Sequence, residues 1–141
     1  MAECAEPTPG IGWQLVRGDM QIYLIGSYDR FGKCRGVKIG VSDDAQGRVK
    51  QLQTGSNDSL KLIAFWDCAG QAMAFAIEAE AHHKFRNHRM IGEWFYAKKL
   101  DKIIFWMSER LNSGPSFMDG ALCEFYLRLA RNREKKLRAT A

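Results

Sequence analysis

The chain has 141 residues, 46% of them apolar and 11% aromatic, which fits one globular domain and excludes a disordered or fibrous chain. Lys and Arg outnumber Asp and Glu by 21 to 16, a net charge of +5, so a polyanionic partner is admitted without being demanded. Cys4, Cys34, Cys68 and Cys123 form no CxxC pair, and no apolar run reaches the ~20 residues of a membrane span, so zinc ribbons, redox pairs and membrane spans are excluded. No charged start leads into an apolar run at the N-terminus, so the expectation is a cytoplasmic, soluble protein with reduced thiols.

Residues 1–12 carry two of the three prolines and little that packs, so a flexible arm is expected there, with a short strand starting near Trp13–Val16. Gln21–Tyr28 and Arg35–Val41 are rich in Ile, Val and Tyr and read as two strands. The stretch Asp29–Gly36, with Gly32 and Gly36, links them, which makes the pair a hairpin with a basic tip. Ser42 is placed to cap a helix, with Asp43 and Asp44 in its first turn. That helix runs to about Thr54, stops at Gly55 and buries Ala45, Val49 and Leu52, with Arg48 beside that stripe. Leu60–Trp66 reads as a third strand and Gln71–His88 as a long helix without internal Gly or Pro.

After an extended piece at Gly92–Tyr96, Lys99–Leu111 places Leu100, Ile103, Ile104, Met107 and Leu111 on one helical face. Asn112–Ser116 breaks it, and a last helix is expected over Phe117–Arg138 with Met118, Leu122, Phe125 and Leu129 as its stripe. The expected fold is therefore α+β: a small antiparallel sheet of about three strands flanked by helices. A domain over 13–97 is followed by a helical extension over 98–141, which adds two C-terminal helices.

Residues four and seven apart share one side of a helix, so Glu78, His82, Phe85 and Arg89 form a stripe bordering the apolar one of Ala74, Ile77, Ala81 and Phe85. A carboxylate held at that border suits a hard cation, because Mg²⁺ needs only one or two carboxylates besides water and phosphate oxygens. Tyr23 and Lys38, on partner strands, are placed to share a face. A nearby ammonium favours the phenolate, and a phenolate can take a proton from water. Arg48 offers a planar fork of donors for phosphate oxygens. Each residue also has an ordinary reading: Glu78 as a solvated helix charge, Tyr23 as a half-buried strand tyrosine, Lys38 and Arg48 as surface cations. His82, His83 and His88 match no zinc-ligand spacing. His82 shares the Glu78 stripe, while His83 and His88 read as surface residues.

The order IYLI, KIG, Arg48 with LQTG, then E-x-x-x-H-x-x-F-x-x-x-R-x-x-G-E-W-F resembles the GIY-YIG nuclease superfamily over about Gln21–Phe95. It is most similar to the branch of small phage and bacterial proteins with KIG as second motif and a terminal GEWF. The resemblance implies a metal-dependent DNA endonuclease with Tyr23, Lys38, Arg48 and Glu78 as catalytic residues. Tyr23, assisted by Lys38, would accept the proton of an attacking water. Arg48 would stabilise the phosphorane, and Glu78 would hold one Mg²⁺ or Mn²⁺. His82, Arg89 and Glu93 match the branch's auxiliary positions.

Two departures stand out: Gln21 replaces the glycine of the first motif, and Leu52 replaces a His or Tyr that many members carry four residues after the arginine. DNA is the expected partner, with Arg128, Arg131, Arg133, Lys135, Lys136 and Arg138 as candidate backbone contacts. Cutting both strands would take a homodimer or two successive events. A catalytically silent DNA-binding module on the same scaffold is the alternative. A protein-interaction domain presenting Trp66 and Trp106 is a third reading.

Overall fold

The computed structural model describes residues 20–140, so the expected arm and the strand near Trp13–Val16 lie outside it. The side chains of Leu122, Phe125 and Leu129, expected to form the last helix's stripe, are likewise outside the described set. The elements are β1 (Met20–Tyr28), β2 (Cys34–Ser42), α1 (Ala45–Gln53), β3 (Ser59–Cys68) and α2 (Gln71–Lys84). Then follow β4 (Trp94–Tyr96), α3 (Leu100–Leu111), β5 (Phe117–Met118) and α4 (Gly120–Thr140), with 3-10 turns at Arg86–His88 and Ala97–Lys99.

The class is α+β as expected, but among the described residues the sheet has five antiparallel strands in the order β4-β2-β1-β3-β5, not about three. The two additional strands have three and two residues, too short for an alternating pattern to register. Phe117–Met118, expected to open the last helix, pairs instead with Ala64 and Phe65 of β3.

Central strand β1 is buried on both faces, which is why its sequence reads as the apolar run IYLI. Ile22 and Leu24 join Val37 and Ile39 under α2, which contributes Ala74, Ile77 and Ala81. From α3, Ile103, Ile104 and Met107 enter the same core. Truncating any one of these α3 side chains to Ala removes about 2–5 kcal/mol. Trp66 belongs to this core at 1% exposure, and its indole N–H faces Ser108 Oγ at 3.3 Å. It is therefore no docking residue, and Trp106 is half-buried with its ring edge-on to Phe85.

The opposite face of β1 turns Tyr23 and Ile25 toward α1, whose Ala45 is buried and whose Val49 and Leu52 pack beside it. Helix α1 starts two residues later than Ser42 would set it. Asp44 is the cap, accepting from Gly47 N at 3.1 Å, and Ser42 Oγ accepts from Asp44 N at 3.0 Å. The acidic pair thus precedes the first helical turn. Gln21 supplies a further tie, its Oε1 accepting from Ala45 N at 2.8 Å. The residue that departs from the first motif's glycine therefore anchors the helix that carries Arg48.

The LQTG segment has a similar structural role. Gln53 donates Nε2 to the Asp58 carbonyl at 2.8 Å and accepts from Leu60 N at 2.7 Å, clamping the end of α1 to β3. No described helix is long and apolar enough to cross a membrane.

Candidate active site at the open edge of the sheet

Strand register places the first half of the site. Tyr23 lies opposite Gly40 and Ile25 opposite Lys38, so all four face the α1 side. The Tyr23 hydroxyl passes over Gly40, and a methyl at Gly40 would overlap the hydroxyl and Cζ of that tyrosine. The glycine of KIG is thus a slot for the phenol.

Burial pushes the Tyr23 phenol above its ordinary value of 10. The Arg48 guanidinium pulls it back, both as hydrogen-bond donor and as a nearby positive charge. The negative charges of Glu93 and Glu78 raise it further. The expected pairing of Tyr23 with Lys38 is not the contact formed. Lys38, its side chain 12% exposed, places Nζ 3.1 Å from Glu93 Oε1, and the cation acting on Tyr23 is Arg48. Arg48 is half-buried, and its guanidinium also reaches Gln51 Oε1 at 3.1 Å.

The second half comes from the helix on the other side of the sheet. Strand β4 pairs with β2 only over Gly36–Lys38, so from Ile39 onward that edge of β2 has no strand neighbour among the described residues. His82 of α2 fills the gap, with Nε2 3.1 Å from the Ile39 carbonyl. A carbonyl only accepts, so Nε2 carries the proton, and Nδ1 accepts from Arg89 at 3.2 Å. The His82 ring also meets Phe95 edge-on at 5.1 Å, and the Arg89 guanidinium lies 5.6 Å from the centre of the same ring.

This explains the spacing of E-x-x-x-H…R…GEWF in contacts. One turn before His82 on the same stripe stands Glu78, with Oε2 3.9 Å from His82 Nε2. Desolvation raises the Glu78 carboxyl; the imidazole and Lys38 counter this, while Glu93 adds to it.

Tyr23, Lys38, Arg48, Glu78, His82 and Glu93 therefore gather where α2 reaches round the open sheet edge. Arg89 stands behind His82. Ligand atoms of Glu78, His82 and Glu93 lie within 4.8 Å of one another. His82 is the poorest donor of the three, because both ring nitrogens are already engaged. The two carboxylates are the oxygen donors a hard divalent cation takes, and Glu78 is half-buried with its charge disfavoured, so a cation there relieves a desolvation penalty. The set fits Mg²⁺ or Mn²⁺.

The six basic residues of α4 are exposed and lie outside this cluster. Arg133 bonds Glu109 of α3 at 2.9 Å and sits over the Phe105 ring, and Arg138 pairs with Glu134 at 3.3 Å. His83 is exposed, as expected, and His88 is partly covered. Glu80, on the same helix, is exposed and forms a two-pronged surface ion pair with Arg110 at 2.7 and 3.0 Å. The slot at Gly40 and the tie made by Gln21 escaped the sequence reading. Nothing local signals either: a register shift between Ser27 and Tyr28 offsets the pairing that the hairpin turn alone would set, and the tie runs from another strand.

Residues 20–108 match the family model of the T5orf172 domain, a phage-associated domain often linked to nucleases of the GIY-YIG and HNH-like kinds. No curated protein and no solved structure matches the chain.

Proposed function

We propose that this chain, which belongs to the T5orf172 domain family, is a DNA endonuclease that hydrolyses phosphodiester bonds at the open edge of its sheet with the help of one divalent cation. The observation that carries this reading is the convergence there of Tyr23, Arg48, Lys38 and two carboxylates from four separate elements and one loop. Structural ion pairs seldom bring a buried phenol, a guanidinium and a desolvated carboxylate into one electrostatic cluster, whereas phosphoryl chemistry uses all three.

Glu78 would hold the cation, with Glu93 as second oxygen donor, and when bound the cation supplies Lewis-acid polarisation of the phosphate. Arg48 orients the phosphate and offsets the charge that builds on its oxygens. Tyr23 accepts a proton from the attacking water. Its raised pKa makes Arg48 the group that keeps the phenolate within reach. Lys38 neutralises Glu93 in the resting site and is placed to turn to a phosphate oxygen once Glu93 has another partner. His82 and Arg89 position Glu78 and the strand edge without touching the reacting atoms.

Incubation with supercoiled plasmid, with and without Mg²⁺ or Mn²⁺, tests the reading. Metal-dependent conversion to open circles is expected. Tight DNA binding with no nicking in either metal would leave the silent DNA-binding module instead.

A further inference from the structure

We infer that the groove next to this site holds one unpaired base of the strand being cut, so that the substrate class is DNA with an unstacked nucleotide beside the scissile phosphate. The inference rests on the nuclease reading and adds to it. The groove has a volume of about 300 Å³ and lies on the Tyr23 face of the sheet. Its lining includes Ser27 and Gly36, which are register partners. Along that face the order is Gly40 under Tyr23, then Lys38, then Gly36. One step of two strand residues spans roughly 7 Å. A phosphate held near Lys38 therefore has its own nucleotide within reach of the groove.

The lining suits a base. Gly36 leaves the floor bare, and a methyl there would stand 3.1 Å from Met90 Sδ and 3.5 Å from Trp94 Cε3. Trp94, half-buried opposite Lys38, offers an aromatic surface on which any base can stack. The opposite wall is polar: Ser27 Oγ donates to Asp58 Oδ2 at 2.8 Å, and Arg35 lies 3.7 Å from the same oxygen. A carboxylate there can accept from the N–H groups of a base edge, and the largely exposed Arg35 beside it is the cation at that wall.

Ile91 supplies the means of unstacking. It is 88% exposed at the tip of a short loop held by Met90 N to Trp94 O at 2.7 Å and by Gly92 at φ 68°. An aliphatic side chain presented that way beside a base-sized groove matches the apolar wedges that proteins insert between base steps. Unpairing a base costs a few kcal/mol, least where the base is already unpaired.

The experiment measures affinity with the full chain carrying Glu78→Gln, so that no cleavage is needed. Labelled duplexes carry one unpaired nucleotide, stepped one position at a time. At one position unpairing should tighten binding by tenfold or more, and an abasic nucleotide at that position should abolish the gain. Ile91→Ser, a change at an exposed position, should weaken binding to the fully paired duplex several-fold more than to the unpaired one. Affinity indifferent to pairing at every position overturns the inference, as does an abasic site that gains as much as the intact base. If wild-type protein nicks plasmid while the affinities stay flat, only the groove assignment falls. If the pairing effect appears and no DNA is ever cut, the nuclease reading falls and the groove stands.

Discussion

Lys38 shows how one side chain can be read correctly in place and wrongly in partnership. Its position on the Tyr23 face follows from hairpin register, but its ammonium goes to Glu93 and the phenol is left to Arg48. Register is a local property of two strands, whereas the choice between the phenol and the Glu93 carboxylate depends on a loop fifty-five residues away. Two consequences are measurable. If Lys38 occupies Glu93 in the resting site, Lys38→Met should bind Mn²⁺ several-fold more tightly by calorimetry while cutting DNA more slowly. Equal or weaker Mn²⁺ binding would remove Glu93 from the donor set.

The second consequence concerns pH. A phenol held above 10 is protonated at neutral pH, so a rate that depends on the phenolate should rise with pH through 7 to 9. Arg48→Ala removes the influence that lowers the pKa and should shift the profile to higher pH as well as lowering the rate. Tyr23→Phe should flatten the profile and cost roughly two to four orders of magnitude. A profile unmoved by Arg48→Ala would give Arg48 a binding role only.

At the scale of elements, long periodic segments were legible and short ones were not. The stripes Ala74, Ile77, Ala81, Phe85 and Ile103, Ile104, Met107 are buried as their spacing demands. Strand β4 falls within the extended piece expected at Gly92–Tyr96, but its pairing with β2, and β5 altogether, escaped because a place in the sheet is decided by partners, not by a strand's own few residues. The start of α1 moved from Ser42 to Asp44 because Gln21, on another strand, accepts from Ala45 N. The fixed placement of Arg48 therefore depends on two glutamines that carry no catalytic chemistry. Gln53→Ala leaves the Leu60 N–H without its side-chain acceptor and the Asp58 carbonyl with only Ser56 Oγ, and should cost about 1–3 kcal/mol in urea unfolding. Gln21→Ala should cost about 1 kcal/mol and slow cleavage more than it weakens DNA binding, because it loosens Arg48. A cleavage rate equal to wild type would show that Asp44 alone holds the helix start.

Across the whole molecule, the site lies at a sheet edge while much of the concentrated positive charge lies on α4. If α4 grips the phosphate backbone, binding releases counterions and affinity falls steeply with salt. Removing residues 132–141 should then weaken binding to all sequences alike and reduce the salt slope, with single-turnover cleavage retained at saturating protein. The lost Arg133–Glu109 pair is exposed and worth at most ~1 kcal/mol, so the fold should survive. Identical salt slopes for the two proteins would make α4 a solvated helix.

Glu78 is the residue on which the proposed chemistry most depends. Its folded pKa is raised above its unfolded one, so the ionised form is disfavoured by folding, and at neutral pH this carboxylate costs stability that returns as pH falls through the raised value. Glu78→Gln keeps the shape and removes the charge. The direct measurement is plasmid nicking by Glu78→Gln beside wild type in Mg²⁺ and Mn²⁺, with the Tm of both at pH 7. Loss of metal-dependent nicking together with an unchanged or higher Tm is the expected result, the pattern of a residue kept for chemistry at a cost in stability. Nicking at the wild-type rate by a folded Glu78→Gln protein would contradict the assignment of the metal to this edge.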